Sequence, residues 1–194
     1  MNRARTFDPA TALTQVVDLF ASKGYSETSM ADIVQTTGVS RYGLYGTFGN
    51  KRELFEQALE EYAEGMGKRS FLRLLEPGAS LAHIRRIFEE RVNDMCELEE
   101  RKGCLFVHTA MELAPQDAEL KGVLQRFMKR MAKAFSIGLD SAKGRGEVAA
   151  DLDVDAAGMQ LTNMLFGLAV LGRTGFPQET LDNIVDSTLD AMRA

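Results

Sequence analysis

Apolar residues recur every three or four positions along most of the chain. Leu13, Val16, Val17, Phe20 and Ala21 form one such stripe, and Leu81, Ile84, Phe88, Val92 and Met95 form another, the spacing that lines one face of an α-helix. A longer stripe runs through Leu120, Val123, Leu124, Phe127, Met131, Phe135 and Leu139, and Leu181, Ile184, Val185, Thr188, Leu189 and Met192 close the chain. No segment alternates in the period of two that a half-buried strand requires. Breakers separate the stripes: Lys23-Gly24-Tyr25-Ser26, Thr36-Thr37-Gly38, Glu76-Pro77-Gly78, Ala114-Pro115, Lys143-Gly144-Arg145-Gly146 and Gly175-Phe176-Pro177. Glycine and proline punctuate helices at such points, so the pattern predicts an all-α fold of about nine helices.

The first fifty residues differ in grain, with three short helical segments where the rest has longer ones. Residues 1–53 hold 6 Lys or Arg and 5 Asp or Glu, and residues 54–194 hold 17 and 23. This divides the chain into an N-terminal unit, 1–53, and an acidic helical unit, 54–194. At 194 residues, 45% apolar and 26% charged, the chain is not of disordered or collagen-like composition, and a chain of that size buries roughly 70% of its unfolded surface. Cys96 and Cys104 make no disulfide framework, and Met1 to Arg5 lack the apolar run of a secretory signal, which predicts a reducing, cytoplasmic location. The longest apolar-rich stretch, 156–171, carries Gln160, Thr162 and Asn163 and is shorter than the roughly 20 residues of a membrane span, so no membrane association is expected.

Within the N-terminal unit, Ser29 is placed to cap a helix that begins at Met30, with Asp32 in its positive first turn. Gly38 is placed to end that helix, and Ser40 to cap a second one over Arg41 to Phe48. Two short helices joined by such a turn are a helix-turn-helix, whose second helix presents its N-terminal side chains to a DNA major groove. The local pattern also fits plain helix packing, and the flanking residues decide. Thr28 to Val34, Gly38-Val39-Ser40-Arg41, Leu44-Tyr45, Phe48 and Asn50 to Phe55 together resemble the DNA-binding domain of the TetR (tetracycline repressor) family over roughly residues 8–55. The remainder is similar to that family's variable helical domain in length and layout.

The resemblance implies a dimeric transcriptional regulator, usually a repressor, that binds palindromic operator DNA and is released by a small-molecule inducer. It assigns Tyr45 and Lys51 to phosphates and Phe48 to the core; Arg41, in the first turn, has the position for a guanine edge or a phosphate, and Tyr42 and Thr47 have the length and polarity for bases, the alternative for Arg41 and Tyr42 being plain surface positions. Ser40 and Thr28 add hydroxyl or backbone N–H contacts to phosphate. Family members often have glycine where Tyr42 stands and a bulky or polar residue where Gly46 stands. Gly43 and Gly46 each weaken a helix interior by about 1 kcal/mol relative to alanine, so specificity is expected to lean on Arg41, Tyr42, Thr47 and DNA shape. Arg3 and Arg5 read as a tail, with a minor-groove arm the alternative. The acidic balance counts little here, because phosphates feel charge within roughly 10 Å at moderate salt.

Met95, Phe106, Met111, Phe127, Met131, Phe135, Met164 and Phe166 supply adaptable apolar volume in the second unit, either as core or as a pocket wall. Of these, Phe106, Met111, Phe127 and Met131 are candidate ligand contacts, joined by His108 and Glu112, four apart on one face, and by Asn163 within an apolar helix. His108 and Glu112 alternatively pair with each other. No metal site is expected, since two ligands do not make one, and no cofactor is implied. Cys104 follows Arg101, Lys102 and Gly103 at a helix start, where a thiol's pKa falls; this suggests an oxidant or electrophile sensor, the alternative being a buried small apolar residue. Leu161, Leu165, Leu168, Leu181, Val185 and Leu189 are predicted to form the homodimer interface, with Gly158, Gly167 and Gly172 permitting close approach. Two helices from each subunit would then make a four-helix bundle and hold the recognition helices about 34 Å apart. A helical enzyme and an acidic adaptor are the rival classes. No phosphate-binding loop, G-x-S-x-G elbow, H-E-x-x-H or dinucleotide fingerprint occurs, so an enzyme is not expected.

Overall fold

A computed structural model of the chain describes residues 7–97 and 103–193. Among these the chain forms nine α-helices: α1 (Pro9–Lys23), α2 (Met30–Thr37), α3 (Arg41–Phe48), α4 (Lys51–Met66), α5 (Leu81–Glu97), α6 (Leu105–Glu112), α7 (Ala118–Gly144), α8 (Val154–Arg173) and α9 (Gln178–Asp190). A π-helical turn at Gly67–Phe71 and a 3-10 turn at Leu72–Leu74 continue α4. The only backbone pairing of strand type among these residues is an isolated bridge between Val148 and Arg193. Arg3, Arg5, Arg101 and Lys102 lie outside the described residues.

Local chemistry sets the ends of the first three helices. Asp8 accepts from the amides of Ala10 and Thr11, and Pro9 opens α1, where its missing N–H costs nothing. Ser29 and Asp32 form a reciprocal capping box on α2, and Ser40 accepts from the Gly43 amide to start α3. Gly38 follows α2 with φ 67°, the left-handed conformation that only glycine adopts freely. Asn50 and Glu53 make a second capping box at the head of α4. Packed inside are Val16, Phe20, Ile33, Leu44 and Phe55, each with no more than a trace of exposure. The Phe20 and Phe55 rings meet edge to face with centroids 5.0 Å apart, a geometry worth about 1 kcal/mol beyond burial.

The boundary expected between residues 53 and 54 falls inside α4, which runs unbroken from Lys51 to Met66 and packs on α1. Beyond it, α7 is the central helix, and Phe135 on it stacks on Phe88 at 5.6 Å and meets Phe71 edge-on at 5.2 Å. Helices α7 and α8 pack closely at Gly158, where a Cβ would lie 2.5 Å from the Ala132 carbonyl oxygen.

Two expectations about this region are corrected. Helix α8 has 20 residues, with a mean hydropathy of 1.3 over its most apolar window. By length and composition it therefore meets the test for a membrane span that stretch 156–171 seemed to fail. Its apolar residues are divided between the subunit core and one outer stripe, and it packs against α5, α7 and α9. Second, Leu161, Leu165, Leu168, Leu181, Val185 and Leu189 are all buried within the subunit, none more than 3% exposed. They hold α8 and α9 to their own bundle. The solvent-exposed positions of α8 include Met159, Asn163 and Val170, with Phe166 half-buried beside them, because one helix can send only one face inward to its own bundle.

Candidate nucleic-acid interface and ligand clefts

The recognition helix α3 buries Leu44 and Phe48 and leaves Arg41, Tyr42, Tyr45, Gly46 and Thr47 exposed. Tyr42 is 90% exposed. Of the two glycines, Gly43 has a packing reason, since a Cβ there would sit 3.1 Å from Val39 Cγ1 and 3.3 Å from Ser40 Oγ. Gly46 faces open space and lets another surface approach the backbone. Ser40 is exposed while capping α3. At the head of α4 the Lys51 ammonium lies 4.2 Å from the centroid of the Tyr25 ring. Burial lowers its pKa, with the Glu112 and Asp32 carboxylates pulling the other way.

Thr28 requires correction. Its side chain is fully buried and its hydroxyl donates to the Gly24 carbonyl at 2.6 Å, so it shapes the turn before α2 and offers no hydroxyl to a phosphate.

The seven residues expected to gather round a ligand do not share one pocket. Phe106, Met111 and Asn163 line a cleft of about 360 Å³ between α6, α7 and α8, together with Met159, Phe166 and Val170 and with no charged residue. Phe127 and Met131 line another, about 430 Å³, between the 67–74 turns and α7. The Phe106 and Phe127 rings stack with centroids 4.0 Å apart, so this buried pair is the wall between the two clefts.

His108 and Glu112 belong to neither cleft. Glu112 Oε2 accepts from the backbone amides of Tyr25 at 3.0 Å and Ser26 at 3.1 Å, while His108 Nδ1 lies 3.5 Å from its other oxygen. The carboxylate thus fastens the α1–α2 loop to α6. Gly24 is held so close that a Cβ there would collide with Glu112. Arg52 pairs with Asp117 at 2.5 Å, and Arg173 donates to the Ser22 carbonyl at 2.8 Å. Tyr25 and Glu112 are 87 positions apart, so no local pattern in the sequence links them.

Cys104 is the N-cap of α6, and the Tyr62 hydroxyl donates to its Sγ at 3.5 Å. The expected activation is corrected: burial pushes the thiol up, outweighing the Tyr62 hydroxyl, the Val107 and Phe106 amides and the Arg91 charge that favour the thiolate. Cys96 is also a free thiol. No group of three or more His, Cys, Asp or Glu able to hold a metal occurs among the described residues.

An exposed face of cationic, hydroxyl and aromatic side chains on the second helix of a helix-turn-helix, carried by a larger helical bundle with apolar clefts, defines a DNA-binding regulator. Residues 13–58 match the family described as bacterial regulatory proteins, tetR family, and residues 80–186 match the tetracyclin repressor-like C-terminal domain. The chain belongs to the TetR family of helix-turn-helix transcriptional regulators. It is 34% identical over 193 residues to the uncharacterized HTH-type transcriptional regulator YezE of Bacillus subtilis (strain 168), covering 99% of this chain and 100% of that one. It is 26% identical to the HTH-type transcriptional repressor ComR of Escherichia coli (strain K12), covering 96% and 90%. Among solved structures, a cysteine-substituted variant of the TetR family regulator CifR in complex with 26-bp operator DNA superposes with TM-score 0.84 at 28% identity. That match covers 98% of this chain and 100% of the other.

Proposed function

We propose that this protein is a ligand-released repressor that binds palindromic operator DNA as a homodimer. Residues 1–53 act as the DNA-reading unit and residues 54–194 as the ligand and dimer unit, in the cytoplasm and without catalytic activity. The observation that carries this is the exposed face of α3. Arg41, Tyr42, Tyr45 and Thr47 stand free in solvent on a helix whose inner face is anchored by Leu44 and Phe48. Arg41 in the first turn has the reach for a guanine edge, while Lys51, Tyr45 and Ser40 are placed for phosphates and fix position more than sequence. The second subunit covers the outer stripe of α8, where Met159, Asn163, Phe166 and Val170 surround the uncharged cleft.

Release follows if a ligand favours the conformation in which α4 and the Glu112 tie hold the two N-terminal units at a separation that fits DNA poorly. A ligand with equal affinity for both conformations would release nothing.

Fluorescence anisotropy of the protein against its own upstream DNA and a scrambled duplex, at fixed salt, tests the reading. Arg41→Ala is expected to weaken binding to the cognate duplex about ten- to a hundredfold and to leave scrambled binding nearly unchanged. Equal affinity of the wild type for both duplexes would return the adaptor and enzyme readings. A second reading, thiol sensing, is favoured by one observation: two of the cysteines replaced in the CifR variant lie eight positions apart, as Cys96 and Cys104 do here. The elevated pKa of the Cys104 thiol opposes it, and labelling of Cys104 at neutral pH no faster than in denatured protein would end it.

A further inference from the structure

The two clefts differ in one respect that bears on what each holds. The cleft between the 67–74 turns and α7 has a floor of buried Phe71, Phe127 and Met131, while Leu72, Leu75 and Ile137 on its walls are 53%, 51% and 39% exposed. Three large apolar side chains half in water around one concavity leave favourable burial unrealised. Its rim carries Lys68, Arg130 and Lys133 against the single carboxylate of Glu64, on a chain whose net charge is −5. The Arg130 guanidinium stands 6.0 Å above the Phe127 ring. Lys68 and Lys133 engage Glu64 and Asp155 through solvent-exposed ion pairs, which are weak and exchange readily for a ligand's anion.

We propose that this cleft binds a monomeric amphipathic anion, an apolar body on the Phe127 and Met131 floor with a carboxylate or sulfonate at the Arg130 and Lys133 rim. Its volume of about 430 Å³ lies in the range of small-molecule sites. The backbone on one side is π-helical over Gly67–Phe71, a local register change of the kind that recurs at functional sites. That turn directly continues α4, whose first residues are Lys51 and Arg52, so an occupant presses on the helix that enters the N-terminal unit. The proposal deepens the ligand-released reading and rests on it only for the effect on DNA.

The test titrates the full-length protein with 1-anilinonaphthalene-8-sulfonate and with its uncharged counterpart N-phenyl-1-naphthylamine, each then displaced by dodecanoate. Saturable binding that prefers the sulfonate and is displaced by dodecanoate is expected. The double variant Arg130→Gln with Lys133→Gln should weaken sulfonate binding about tenfold while sparing the neutral probe, and Leu72→Gln should weaken both. All three positions are exposed, so circular dichroism should report an unchanged fold. Charge-blind binding, sulfonate affinity indifferent to the double variant, or binding to phosphatidylglycerol vesicles without displacement by dodecanoate would overturn the proposal. Operator release by dodecanoate is scored separately: binding without release leaves this site standing and refutes release through it.

Discussion

Helices α1 to α3 and helices α7 and α8 are stabilised by different means. The first three have 15, 8 and 8 residues; helices under roughly 12 to 15 residues are marginal in water, so α2 and α3 are too short to hold by themselves and α1 is at the limit. Each begins at a capping side chain and ends at a glycine with positive φ: Gly24, Gly38 and Gly49. Helices α7 and α8, with 27 and 20 residues, are also capped by aspartates and also stop at positive-φ glycines, Gly146 and Gly175, one residue past Arg145 and Thr174, so length and packing set them apart. Their stability comes from mutual packing, with Gly158 against Ala132 and Phe135 among Phe71 and Phe88. Where short helices lean mainly on their caps and stops, outward-facing side chains are free to read another molecule. Where long helices lean on packing, the apolar surface itself is the material of function.

The largest expected effect tests the packed half. Phe135 is fully buried, and Phe135→Ala removes two ring contacts and leaves a cavity, a loss of about 3–5 kcal/mol. For a chain of this length that lowers Tm by about 10 °C at fixed protein concentration. A calorimetric shift under a third of that would mean that α7 does not depend on this packing.

Next comes the junction between the halves. Glu112→Ala deprives the Tyr25 and Ser26 amides of their acceptor, and unsatisfied groups of this kind cost about 1–3 kcal/mol. A drop in Tm of about 5 °C is expected, with Glu112→Gln in between because its amide oxygen still accepts. If Gln and Ala behaved alike, the tie would depend on the carboxylate's charge, including its contact with His108, more than on the two hydrogen bonds.

The same contrast explains what was legible in the sequence. Caps, stops and the exposed face of α3 are local, so Ser29, Gly38 and Ser40 make the helix-turn-helix legible in the sequence. Thr28 misled because a hydroxyl beside a turn reads alike whether it faces a phosphate or, as here, a backbone carbonyl four residues back. In the bundle, periodicity identified helices but not which side of a doubly apolar helix faces inward. Leu161, Leu165 and Leu168 therefore looked like interface and are core, while Met159 and Val170 are half-exposed. Glu112 lay on the expected face, yet its partners come from a loop distant in sequence. Cys104 followed a positive run at a helix start as read, but its burial depends on Tyr62 and the surrounding helices.

The smallest effect concerns whether charge or only shape sets a local cap. Asp32 accepts from the Ser29 amide at 2.8 Å and pairs with Lys23 at 3.0 Å, and these contacts, the Ser29 hydroxyl foremost, hold its carboxyl well below the usual carboxylate range. A group with a lowered folded-state pKa contributes stability that is present above its unfolded value, near 3.9, and is lost as pH falls through the folded value. Asp32→Asn keeps an acceptor for the Ser29 amide but removes the charge next to Lys23 and the positive end of α2. The variant should therefore melt slightly below the wild type at neutral pH, and the gap should narrow as pH falls below about 4. Asp117 and Glu90, similarly lowered by Arg52 and Arg86, remain in both proteins and cancel from the comparison. A gap that stayed constant from neutral to acid pH would show that the cap works through hydrogen-bond geometry alone, and the N-terminal unit would then owe its short helices to shape, as the bundle owes its long ones to packing.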